Sequence, residues 1–103
     1  MIVTNKFNIG EIYTMKLVTG EEIITKLVST DGDYYGVKQP LVLSMTAQGV
    51  AMTPFLFTAE TKGEIPIPKT AVVAIASTDK QTAGQYIQGT TGIVTPGNAS
   101  LGK

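Results

Sequence analysis

The chain contains no cysteine, histidine or tryptophan, and all eight of its basic residues are lysine, so arginine is missing as well. Each absence removes a class of chemistry. Without Cys there is no disulfide staple and no thiolate metal site. Without His or Cys the usual general bases and nucleophiles are gone, and no two acids stand at a spacing that suggests paired acid–base work. The sequence therefore reads as a non-enzyme, and it implies no metal and no cofactor. Without Arg, bidentate contacts to phosphate and guanidinium stacking on a base are unavailable. No apolar run is long enough to span a bilayer. Met1 to Lys6 lacks the charged start and apolar stretch of a secretory signal, so the expected compartment is the cytoplasm.

What is present fits one small folded unit. A length of 103 residues with 43% hydrophobic and 16% charged content is ordinary for a single domain, expected over residues 1–94. Beyond Gly89 the chain is Gly, Thr, Pro and Asn with little to bury, and residues 95–103 are expected to form a flexible tail. A core of this size is only modestly stable alone. With staples excluded, association between copies is the remaining source of stabilisation. Eight lysines balance eight acids, giving a formal charge of zero. Any polyanion would have to be held by a local lysine cluster rather than by a general field.

Period-two alternation dominates the first half. Tyr13, Met15 and Leu17 share one strand face, and Ile23, Thr25 and Leu27 share another after a turn at Thr19-Gly20, which predicts a hairpin with Glu21 and Glu22 beside a wet turn. Asp31-Gly32-Asp33 predicts a second turn, leading into a strand from Tyr34 to Thr46. Pro40 cannot donate to a ladder, so a bulge or an unpaired edge is expected there. Gln48-Gly49 reverses the chain into Val50 to Thr58, apolar on both faces and so in need of cover on both sides. Ile65 and Ile67 stand between prolines, and a turn at Pro68-Lys69-Thr70 precedes the buried strand Ala71 to Ala76. From Ser77 the pattern changes. Ser77 or Thr78 would cap a short helix, about 78–89, presenting Ala83, Tyr86 and Ile87 on one face, with Gly84 and Gly89 weakening it.

Several tempting motifs lose to plainer readings. Asp31-Gly32-Asp33 is better explained as a turn than as a cation site, since no acids follow at calcium-loop spacing. Met45 and Met52 read as core filler. Asn98-Ala99-Ser100 matches the glycosylation sequon, which carries no weight without a secretory signal. Gly97 to Lys103 fits the start of a phosphate-binding loop, but the Ser or Thr and the helix that must follow are missing.

Five short, tightly turned strands favour an all-β, strongly bent small barrel of the SH3 or OB kind over a sandwich, which usually needs about seven. Within that class the spacing Met15-x-Leu17-x-x-Gly20-x-x-Ile23-x-Thr25-x-Leu27 resembles the first motif of the Sm and Sm-like RNA-binding proteins. Gln39-Pro40-Leu41-Val42-Leu43 resembles the end of that motif. Ile67-Pro68-Lys69-Thr70-Ala71-Val72-Val73-Ala74-Ile75 resembles the second. Gln85 to Pro96 is similar to the ending of Sm-like proteins attributed to marine bacteriophages. The resemblance implies a five-stranded Sm-like barrel, a homo-oligomeric ring, and binding of RNA or single-stranded DNA.

The departures shape what is carried over. The family grips bases with an Asn of the first motif, a side chain two residues before it and an Arg of the second, and these positions fall here on Pro40, Lys38 and Pro68. The proline side chains cannot hydrogen-bond a base. Lys38, Gln39 and Lys69, with Thr70 and Tyr35 beside them, remain as candidate nucleic-acid contacts of weak sequence preference, and solvated surface lysines fit the same pattern. Tyr34 or Tyr35, if exposed, would serve as a stacking platform worth ~1–3 kcal/mol per base, against a plainer role in packing. Thr25 stands where the family bends its second strand with glycine.

The ring expectation also has a physical side. Apolar edges at Val50 to Thr58 and Ala71 to Ala76 invite edge-to-edge pairing. A head-to-tail contact of that kind closes into a ring if the rotation permits. Phe55, Phe57, Val72, Val73 and Ile75 are the expected interface, and the loops expected to hold Lys38 and Lys69 would then face a common pore. The alternative is a structural, assembly or adaptor ring of a phage that touches no nucleic acid. A small-ligand barrel is a third possibility that no residue marks.

Overall fold

The structure is a computed structural model that describes residues 7–60 and 62–91; the tail expected at 95–103 lies outside the described residues. The elements run β1 (Ile12–Leu17), β2 (Glu22–Ser29), β3 (Tyr34–Thr46), β4 (Gly49–Pro54), β5 (Glu64–Pro68), a one-turn 3-10 helix (Lys69–Ala71), β6 (Val72–Ser77) and α1 (Lys80–Thr91). The chain is thus mostly β with a single short helix. The strands form one antiparallel sheet in the order β4-β3-β2-β1-β6, with β5 also paired to β3, and the path is not closed. The helix is neither long nor apolar enough to cross a membrane.

The turn residues act as expected. Gly20, Gly32 and Gly49 all take positive φ, +107°, +67° and +117°, a region open to glycine at no steric cost. They close β1–β2, β2–β3 and β3–β4 respectively. Beside Gly20 the Thr19 hydroxyl donates to the Glu21 carboxylate, and that bond holds the Glu21 carboxyl below its ordinary value.

Alternation then sorts the side chains. Tyr13, Met15, Leu17, Ile23, Leu27, Val37 and Ile67 form the buried core, with Phe55, Val42, Val72 and Ile75 packed against it. Tyr13 pairs with Thr25 and Met15 with Ile23 across β1–β2, so these residues point to one face. The other face carries Ile24, also fully buried, and α1 lies on this side. Tyr86 is the buried residue of α1.

Three expectations are corrected. The strand count is six rather than five, because Glu64–Pro68 pairs with Tyr34 to Lys38. Pro66 and Pro68 lack N–H groups, but β5 is an edge strand with a ladder on one side, where proline is tolerated. The fourth strand ends at Pro54 rather than Thr58; Phe55 turns away with its N–H donating to the Pro40 carbonyl at 2.9 Å. The helix starts at Lys80, because β6 runs on through Ser77 and Thr78 N–H still bonds to the Ile12 carbonyl. Its cap is therefore Asp79, whose carboxylate accepts from Thr82 N–H at 2.8 Å and from the Thr82 hydroxyl at 2.9 Å.

Candidate functional site

The bulge expected at Pro40 is present and organises the surroundings. Ile24 pairs with Leu41 and Lys26 with Lys38, so two steps along β2 match three along β3. The extra residue sits at Gln39-Pro40, and Gln39 takes φ +50°. For a side chain with a Cβ that left-handed conformation costs about 1–2 kcal/mol. A bulge also frees carbonyls from the ladder, and each buried one needs a donor.

Those donors come from β2, from α1 and from the segment after β4. The Lys38 carbonyl accepts from the Thr25 hydroxyl at 2.7 Å and the Tyr86 hydroxyl at 3.0 Å, and the Gln39 carbonyl accepts from Tyr86 at 2.8 Å. The Pro40 carbonyl accepts from Phe55 N–H. The Gln39 side-chain amide donates to the Thr90 carbonyl at 3.3 Å. Helix and sheet are thus pinned together at the bulge. Burial pushes the Tyr86 phenol up to about 12, against the opposing effect of hydrogen bonding at Lys26 and Thr25. It stays a neutral donor throughout the ordinary pH range.

The candidate nucleic-acid residues do not converge. Lys38 lies inside β3, at the bulge, not in a loop, which corrects the pore-loop expectation. Lys69 is beyond the far end of the β3–β5 ladder. Lys38 pairs with Glu64 and Tyr34 with Pro68, four residues or about 13 Å of strand apart. Lys69 Nζ donates to the Thr30 carbonyl at 2.7 Å and stands 5.4 Å from the Tyr35 ring centroid, a cation–π distance. Tyr35 is half-buried, edge-on to Phe7 at 6.2 Å. It is a packing residue, whereas Tyr34 is 50% exposed. Thr70 is exposed, in the 3-10 turn beside Lys69.

The expected interface residues divide in two. Phe55, Val72 and Ile75 are partly buried and pack on the core. Phe57 and Val73 are 80% and 66% exposed. Val73 is the extra residue of a second bulge, since Lys16 pairs with Ala74 and Leu17 with Val72. Each of β4 and β6 has a single ladder partner among the described strands.

Two features were not legible as site residues. Lys26 and Lys38 are direct cross-strand partners, so two like charges share one face. Lys26 also lines a groove of about 560 Å³ between α1 and the sheet, together with Lys80, Glu11, Gln39 and Thr90. The period-two pattern puts Lys26 opposite to the core face, but only the bulge register brings Lys38 to it. A more apolar groove of about 570 Å³ lies on the other flank of α1, lined by Leu41, Met52, Pro54, Leu56 and Ile65. Among the described residues no cluster of three acids could hold a metal ion.

Compared with known proteins, the sequence matches no protein-family model and no curated protein.

Proposed function

We propose that the chain is a small Sm-like β module of bacteriophage type whose copies join edge to edge into a ring, and that the ring binds RNA or single-stranded DNA with little sequence preference. The observation that carries the reading is the pair of free edges. β4 and β6 are the two ends of the sheet order, each with one ladder partner among the described strands. Each edge also presents apolar side chains to water: Met45 and Val50 at the β3–β4 end, Phe57 just beyond it, and Val73 on β6. Backbone groups left open along such edges pair readily with another strand. Because the two edges differ, their contact is head-to-tail, and a closing rotation makes a ring.

Light scattering at micromolar concentration tests the assembly. A discrete multimer is expected, with Val73→Lys shifting it toward protomers while the fold, followed by circular dichroism, persists. A well-folded protomer at that concentration overturns the ring. The structural-ring alternative is favoured by one observation: Lys38 and Lys69 stand apart, and Lys69 is engaged by Thr30 and Tyr35. Titrating labelled single-stranded RNA and DNA at low salt decides between the two. No binding by the native ring selects the structural role.

A further inference from the structure

We infer that the groove between α1 and the β1–β2–β3 face is a phosphodiester-binding track, and that Lys26 and Lys80, rather than Lys69, hold the strand. The inference rests on the nucleic-acid reading above and relocates its contact surface. Lys26 and Lys38 are register partners on adjacent strands, and like charges directly opposite each other are destabilising. Glu64, the acid paired with Lys38 on its other side, accepts from Ser29 Oγ at 3.3 Å. A Cβ at Gly36 would overlap its carboxylate, so that group lies over Gly36. Across the groove stands Lys80, the first residue of α1, and both Lys26 and Lys80 are exposed. Asp79 beside it has its carboxylate on Thr82.

The lining therefore offers two cations against one acid, Glu11, with Lys38 adjoining. The Ser77 hydroxyl and the Gln39 amide add hydrogen-bonding groups, while the Thr90 hydroxyl donates to the Tyr86 carbonyl and the Thr78 hydroxyl is bonded to that of Thr14. Ile12 and the half-exposed Ile87 give an apolar flank for sugar and base. Tyr86, the one aromatic of the lining, is buried and bonded to the bulge. With no free aromatic platform or guanidinium in the groove, recognition falls on the phosphates, which gives affinity without sequence preference.

The test titrates labelled single-stranded RNA and DNA against the native protein, Lys26→Ala/Lys80→Ala, Lys26→Arg/Lys80→Arg and Lys69→Ala, across a salt series. Each variant is first checked for the native thermal transition and multimer size. The alanine pair is expected to bind about tenfold more weakly at low salt, with a salt slope shallower by about 1.4, or about 0.7 per lost contact. The arginine pair and Lys69→Ala keep native affinity. Native binding that survives in the alanine pair overturns the groove while leaving the nucleic-acid reading intact. Absence of binding by the native protein overturns both.

Discussion

The two faces of β2 are buried to different extents and by different means. On one, Ile23 and Leu27 are fully enclosed by apolar side chains of β1, β3 and β5. On the other, Ile24 is equally buried, but the cover is a helix whose own buried residue is Tyr86, tied to the carbonyls of Lys38 and Gln39. The first face is held by area and close packing, which is non-directional. The second is held at a point, by hydrogen bonds whose geometry must be right. The sheet should therefore survive loss of the helix, but not the reverse.

The largest effect should come from the packed face. Leu27→Ala removes buried methyl groups opposite Val37 and should cost about 2–5 kcal/mol, a large share of a small domain's stability. Urea unfolding followed by circular dichroism measures it, with strand and helix signals lost together. Tyr86→Phe should cost less, about 1–3 kcal/mol, because carbonyls at the bulge lose a donor while the ring still fills its site. Hydrogen exchange should quicken in α1 and around Lys38 to Leu41 and leave the β1–β2 ladder unchanged. Equal acceleration of both regions would erase the distinction between the faces.

Asp79→Ala should have the smallest effect, a slight fall in melting temperature confined to the helix. Thr82 N–H, then its hydroxyl, hold the Asp79 carboxyl below its ordinary value. The carboxylate's contribution is therefore complete above the ordinary range for this group and lost as pH falls through the depressed one. Native and variant melting temperatures should differ near neutrality and converge in acid.

How far the fold was legible follows the same division. Gly20, Gly32, Gly49 and Pro40 announce turns and a bulge because their backbone constraints are local. The core of Tyr13, Met15, Ile23 and Leu27 follows from period two. β5 was hidden because two prolines in five residues argue against a strand, and only its pairing with β3 shows that it lies at an edge. The Asp79 cap was displaced from Ser77 or Thr78 by β6, whose length is set by a partner strand far away in sequence. The lysines were hardest to place. Lys69 is engaged by a carbonyl 39 residues away, and the Lys26–Lys38 pairing depends on the offset that the bulge introduces. Neither is written in local spacing. Thr25 stands where a bend of β2 is expected, and its buried hydroxyl, donated to the Lys38 carbonyl, helps to satisfy the bulge in β3.

The spare residue in β6 has a bearing on solubility. A margin that carries Val73 without a counterpart on β1 is kinked and more strongly twisted there than a regular strand. Straight, flat margins can template stacks of unlimited length, whereas a crooked one accepts only a neighbour that follows the same curve. A single valine out of step thus bends the open margin of β6 away from the flat geometry that stacking needs.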